Sequence, residues 1–131
     1  CGPVILDATT LVYAVAGHEI VAERVLWSAP RLLLSSAVAD ELGRLLARPF
    51  IARYLDPAQV FRVLGALRAY ATWFEPQMDV TDCLAPANNR TLELAAATGS
   101  SIVVSMDDEL LALHHWQGIR ILRPSRALSE L

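Results

Sequence analysis

The sequence predicts a single α/β domain, residues 1–131, built on a mainly parallel sheet with helices covering both faces. Short runs of β-branched and apolar residues alternate with segments of helical period along the whole chain. The first run, Pro3-Val4-Ile5-Leu6, stops at a carboxylate, Asp7, and a helix-forming segment follows at once. No internal repeat, low-complexity tract or linker divides the chain, and 131 residues suffice to bury a core without metal or disulfide staples.

Taken in order, Pro3 to Leu6 reads as a buried strand, and Leu11-Val12-Tyr13-Ala14-Val15-Ala16 as the helix after a tight turn. Gly17-His18 breaks that helix; His18 to Ser28 reads as a second, ended by Ala29-Pro30. Arg31 to Leu34 is a short strand. Ser35-Ser36 is a start signal for a helix from about Ala37 to Arg48, which Pro49 terminates. At about 100° per residue, Val38, Leu42, Leu45 and Leu46 form its apolar stripe. Asp40 faces water, and Glu41 shares the border of the stripe with Arg44 and Arg48. Phe50 to Leu55 reads as a linker. Asp56-Pro57, a cap with proline in the first turn, opens a helix to about Phe74 that buries Val60, Val63, Leu64, Leu67, Ala71 and Phe74. Met78-Asp79-Val80 reads as a short edge strand and Thr81 to Asn89 as a loop. A helix from about Asn88 to Thr98 follows, closed by Gly99 and buried through Leu92, Ala95 and Ala96. Ser101 to Val104 is a strong strand. Ser105-Met106-Asp107-Asp108-Glu109 then opens a helix carrying Leu110, Leu111 and Leu113, with Ser105 and Asp108 in capping-box spacing. His114, His115 and Trp116 fall near its end and Gly118 stops it. Ile119 to Leu122 is a last strand, and Pro124 to Leu131 a terminal helical turn or two.

Composition narrows the function. Hydrophobic residues make up 54% of the chain, yet no apolar run reaches the roughly 18 to 20 residues of a membrane span, so a soluble protein is expected. The apolar surplus suits a core plus an interface, and self-association or a hydrophobic partner is expected from it. Net charge is −3 with no basic run, which excludes nucleic-acid binding through bulk charge and leaves only local contacts. All eleven basic residues are arginine. Only Cys1 and Cys83 occur, too few for a disulfide framework or a zinc site, which fits a reducing cytoplasm. No basic stretch followed by an apolar one precedes the first strand, so no secretory signal is expected.

In an open parallel sheet, ligands collect beyond the carboxyl ends of the strands. Asp7 and Asp107 both fall there, while Glu41 and Asn88 look inward from helices. Each has a plainer reading. Asp7 can cap the following helix, Glu41 can pair with Arg44, Asn88 can be an N-cap, and the acids after Ser105 suit a helix's first turn. If the four converge, their mutual repulsion calls for a divalent cation, and an oxygen-only ligand set favours Mg²⁺ or Mn²⁺ over zinc. Such a cation at an open crevice serves phosphodiester hydrolysis, so a metal-dependent nuclease is expected. Neither a Gly-rich dinucleotide turn nor a phosphate-binding loop is present. Asp7-Ala8-Thr9 lacks the second acid of aspartyl-nucleophile phosphatases.

In order and spacing, several segments resemble the PIN-domain family, and within it the VapC-like group of toxin components of toxin–antitoxin pairs. They are Val4-Ile5-Leu6-Asp7, Ser35 with Glu41-Leu42, Leu46-Ala47-Arg48-Pro49, Asp82-Cys83, Pro86 with Asn89 and Leu92-Glu93-Leu94-Ala95, Asp107 with Leu110-Leu111-Ala112-Leu113, and Gly118-Ile119-Arg120-Ile121-Leu122 with Pro124. The resemblance implies a three-layer α/β/α sandwich and a cytoplasmic Mg²⁺- or Mn²⁺-dependent ribonuclease, silenced by a small antitoxin protein and dimeric. On this chain it makes Asp7, Glu41 and Asp107 the catalytic and metal-binding acids. Asp108, Glu109, Asp82 and Thr9 are supporting candidates, and Arg44 and Arg48 candidate RNA contacts. The family usually has an aspartate at Asn88, often another acid at Ala85 and commonly an asparagine at Thr9. Asn88 therefore stands as a degenerate fourth position, and a catalytically silent PIN-like binding module is the alternative function.

Overall fold

The computed structural model describes residues 3–17 and 20–131. The elements in chain order are β1 (Val4–Leu6), α1 (Ala8–Ala16), α2 (Ile20–Ser28), β2 (Leu33–Leu34), α3 (Ser36–Leu46), α4 (Pro49–Ala52), α5 (Pro57–Tyr70), β3 (Thr72–Trp73), α6 (Pro86–Thr98), β4 (Ile102–Val104), α7 (Asp108–Leu113), β5 (His115–Trp116), β6 (Ile119–Leu122) and α8 (Pro124–Leu128). This is a mixed α/β chain with a mainly parallel sheet, as the alternation of strand and helix signals predicts.

Strands β1, β4, β6 and β5 lie side by side in that order, with β5 antiparallel to β6 and the other pairs parallel. On the far side of β1, Val4 bridges Leu32 in parallel and its N–H donates to the Arg31 carbonyl at 2.9 Å. That contact brings in the parallel pair β2 and β3, so the spatial order is β3-β2-β1-β4-β6-β5. The chain winds outward from β1 in one direction and returns to wind in the other from β4. Between β1 and β4 the sheet therefore has its topological switch point, where open α/β sheets bind their ligands.

Side chains of alternate strand residues point to opposite faces. Every residue of β1 and β4 is buried, so both faces of these two strands are covered. Helix α6 supplies part of that cover through Leu92, Leu94 and Ala95, each 0% exposed. Truncating Leu92 to alanine would cost about 2 to 5 kcal/mol through lost burial and the cavity left behind. Among the described residues no helix is long and apolar enough to cross a membrane.

Several boundaries differ from the sequence reading. The predicted start of the second helix at His18 lies outside the described residues, as does Cys1; from Ile20 the helix is present. The segment read as a linker contains α4, because Pro49 ends one helix and, free of any need for an N–H donor, occupies the first turn of the next. Helix α5 ends at Tyr70 rather than Phe74. Ala71 turns extended, and the Thr72 and Phe74 N–H groups donate to the Leu32 and Leu34 carbonyls, so sheet pairing overrides the continuing helical stripe. Of that stripe only Leu67 is fully buried and Phe74 is exposed.

Met78–Val80 is not a strand: the Val80 N–H donates to the buried Glu93 carboxylate at 2.8 Å, and Arg90 Nη2 donates to the Val80 carbonyl at 3.2 Å. Helix α7 ends at Leu113, with His114 at φ 58°, and His115–Trp116 forms β5 instead of a last helical turn. Gly118 therefore does not stop a helix. With Gln117 it forms the two-residue turn of the β5–β6 hairpin, both at positive φ, 51° and 78°, as a type I′ turn demands.

Candidate functional site

The register of β1 against β4 builds the site. Leu6 is the partner of Val104, and the Asp7 N–H continues the ladder by donating to the Val104 carbonyl at 3.1 Å. One residue further on, Asp7 and Ser105 face each other across the strand ends although they lie 98 residues apart in sequence. The Ser105 hydroxyl donates to Asp7 Oδ2 at 2.6 Å and accepts the Asp107 N–H at 2.9 Å. Asp7 Oδ1 accepts the Thr10 N–H at 2.9 Å, which makes Asp7 the N-cap of α1. The capping role and the place at the crevice are thus both present in one residue.

Asp7 is 2% exposed. Its burial pushes the carboxyl above the ordinary aspartate range; hydrogen bonding from Ser105 and Thr10 pulls back, and the nearby charge of Asp107 adds to the upward push. Among the described residues the Thr10 hydroxyl, fully buried beside the same carboxylate, has no well-aligned hydrogen-bond partner.

Asp107 is the N-cap of α7, and its Oδ2 accepts the Leu110 N–H at 3.1 Å. The capping box predicted for Ser105 and Asp108 is therefore not formed. Ser105 is still on the strand ladder, its N–H bound to the Leu122 carbonyl, so the cap falls two residues later. Asp108 is exposed in the first turn of α7.

Asn88 reaches the cluster from α6. Pro86 occupies the first turn of that helix and Ala85 is its cap, so Asn88 is a helical residue and not the N-cap. Its Nδ2 donates to Asp107 Oδ2 at 3.0 Å and to Glu109 Oε1 at 2.8 Å. Two carboxylates from α7 thus share one amide nitrogen. Glu109 also accepts the Leu84 and Ala85 N–H groups, at 2.6 and 3.2 Å. Led by the Asn88 hydrogen bond, these contacts hold the Glu109 carboxyl below its usual range.

The loop that presents those two N–H groups is pinned on both sides. Asn89 accepts the Cys83 N–H at 2.8 Å and donates to the Cys83 carbonyl at 2.9 Å, while Trp116 Nε1 donates to Asp82 Oδ2 at 2.7 Å. Asp82 therefore serves the loop, not the carboxylate cluster. Burial, helped by the charges of Glu109, Asp82 and Asp107, pushes the Cys83 thiol up.

Glu41 does not join the connected set. Its Oε1 pairs with Arg44 Nε at 2.9 Å, the plainer of the two readings of its spacing, and among the described residues neither a hydrogen bond nor an ion pair links it to Asp7, Asn88 or Asp107. Thr9 is half-buried and lines a groove beside α1 together with Arg48. Among the described residues no group of three or more His, Cys, Asp or Glu side chains is placed to hold a metal ion. No family model matches the chain, and no curated protein matches it.

What remains is a coupled chain of groups at the switch point: Asp7, Ser105, Asp107, Asn88 and Glu109. Sequence reasoning missed Ser105 as a site residue because its position fitted a helix cap. The signal that could have found it is the strand end itself, since the residue after a fully buried strand shares the crevice with Asp7.

Proposed function

We propose that this chain is a PIN-like, Mg²⁺- or Mn²⁺-dependent endoribonuclease of three-layer α/β/α architecture, acting in the cytoplasm as the toxin of a toxin–antitoxin pair. The observation that carries the reading is the hydrogen-bonded convergence of Asp7, Asp107, Asn88 and Glu109 at the switch point of a parallel sheet. The order of the sequence motifs supports the family, its antitoxin partner and its homodimer.

The donor set fits a hard dication: only oxygens would ligate, and Mg²⁺ is commonly held by one or two carboxylates with water completing its shell. Asp107 and Glu109 already bring two carboxylate oxygens to a single donor, the Asn88 amide nitrogen. These two residues, with the Asn88 side-chain oxygen after a flip of its amide, would hold the cation. Bound there, Mg²⁺ or Mn²⁺ supplies a polarised water and charge stabilisation for phosphodiester hydrolysis.

The chain's own residues do the positioning. Asp7 anchors Ser105, Ser105 fixes the backbone of Asp107, and Asp107 is fixed again as the cap of α7. Glu41 is not part of this set; its pair with Arg44 is exposed on the arginine side, 66% against 21%, and such pairs are worth only about 0 to 1 kcal/mol.

One observation favours the silent binding module instead. In the present arrangement the Asn88 N–H₂ group already compensates both α7 carboxylates, which an aspartate there could not do. Incubating the purified protein with end-labelled single-stranded RNA separates the readings. The ribonuclease cleaves with Mg²⁺ or Mn²⁺, stops on chelation and is abolished by Asp107→Ala. Cleavage undiminished in that variant would exclude this site as its source, and absence of cleavage with either metal leaves the binding module.

A further inference from the structure

An apolar groove of about 410 Å³ runs between α1 and the corner where α3 passes into α4. Its walls include Thr9, Tyr13, Arg48, Phe50 and Tyr54. Resting on the ribonuclease reading, we propose that this groove docks single-stranded RNA, with bases stacking on Phe50 and Tyr54 and phosphates following Arg48 and Arg53.

The aromatic rings are open to a ligand: Tyr13 is 41% exposed, Phe50 59% and Tyr54 64%. They are also held on short-range structure. Pro49 starts α4, and the Tyr54 N–H donates to the Ile51 carbonyl at 3.0 Å, so the turn continues past the helix. Phe50 and Tyr54 are four residues apart on that turn, the spacing that brings side chains to one face.

Charge then selects the occupant. From Leu42 to Leu55 the chain carries Arg44, Arg48 and Arg53 and no acid, in a protein of net charge −3. Arg44 is paired with Glu41, whereas Arg48 and Arg53 form no ion pair among the described residues. The Arg53 guanidinium lies over the Tyr54 ring, 5.0 Å from its centre. Unpaired arginines interleaved with open aromatic faces are the arrangement that binds single strands without reading their sequence, each base offering a π-face and each phosphate a charge.

Thr9, which lines the groove, belongs to the first turn of α1, the helix that Asp7 caps. A purely apolar partner helix would leave both arginines without counter-charge.

The test reads binding apart from cleavage. Anisotropy of a fluorescein-labelled 12-nucleotide oligouridylate is followed in EDTA for the unmodified protein and for Phe50→Ala, Tyr54→Ala, Arg48→Ala and Arg53→Ala. Each aromatic substitution is expected to weaken binding roughly tenfold or more, and Tyr54→Trp to restore it. Each arginine substitution is expected to lower the slope of log affinity against log salt by about 0.7.

Affinity and slope unmoved by all four substitutions would overturn the proposal, and would leave the groove to a partner protein. The ribonuclease reading fails separately. Groove-dependent binding without metal-dependent cleavage retains the docking site and removes the nuclease. Cleavage whose KM is unchanged in Tyr54→Ala and Phe50→Ala does the reverse.

Discussion

Ser105→Ala should be the most informative single change for stability. Ser105 is 0% exposed and makes two contacts with one oxygen. Its hydroxyl donates at 2.6 Å to the buried Asp7 carboxylate and accepts the Asp107 N–H at 2.9 Å. Removing this donor from the buried Asp7 side chain costs about 1 to 3 kcal/mol. Orphaning the half-buried Asp107 N–H adds roughly 1 kcal/mol, the low end for an unsatisfied donor. A loss of about 3 kcal/mol is therefore expected, read as a lower urea midpoint with unchanged slope by circular dichroism at pH 7.5. The part that depends on the Asp7 charge can be isolated in an Asp7→Asn background. There the hydroxyl faces a neutral amide, and the same Ser105→Ala change should cost about 1 to 2 kcal/mol less. A total loss under about 1 kcal/mol, or strict additivity of the two substitutions, would refute the coupling of the two strand ends through Ser105.

Two further predictions concern pH and the hairpin. Burial raises the folded Asp7 pKa above its ordinary value of 3.8. Between 3.8 and that raised value the folded state keeps a proton that the unfolded state has lost, so stability falls as pH rises through the window. Asp7→Asn should therefore unfold at higher urea than the unmodified protein at neutral pH, with the difference shrinking towards 3.8; equal midpoints at pH 7.5 would contradict it. Glu109 acts in the opposite sense: its lowered folded value gives stability that is present above 4.5 and lost as pH falls through the folded value. Gly118 at φ 78° should cost about 1 to 2 kcal/mol when replaced by alanine, measured by thermal unfolding, because an L side chain is strained there.

The sheet was legible where apolar runs were long enough to exclude other readings. Val4-Ile5-Leu6, Ile102–Val104 and Ile119–Leu122 are strands as expected, and the closing role of Gly99 for α6 is confirmed by its φ of 68°. Of the two-residue strands, Leu33–Leu34 falls within the run read as a strand from Arg31 to Leu34, but the other two were not legible. Thr72–Trp73 continues a helical stripe in sequence, and only pairing with β2 pulls it into the sheet. His115–Trp116 reads as the end of a helix until the I′ turn at Gln117-Gly118 folds it back on β6. At the site, Asp7 and Asp107 were legible because each follows a strong strand. Asn88 reads as the head of its helix in sequence because Pro86, the better start signal, falls inside the run of turn formers before it. Glu41 showed both of its options in sequence. Its (i, i+3) spacing to Arg44 is the one realised here, since that contact needs no long-range closure.

The most direct measurement is calorimetric titration of Mn²⁺ into the unmodified protein and into Asn88→Asp, with Asp107→Ala as the control for location. If Asp107, Asn88 and Glu109 form a cation site, the unmodified protein binds one Mn²⁺, Asn88→Asp binds it more tightly, and Asp107→Ala abolishes the heat. Binding only after Asn88→Asp would assign the chain to the silent module. No binding in either protein, or binding that survives Asp107→Ala, would contradict a shared cation site at the switch point of the sheet.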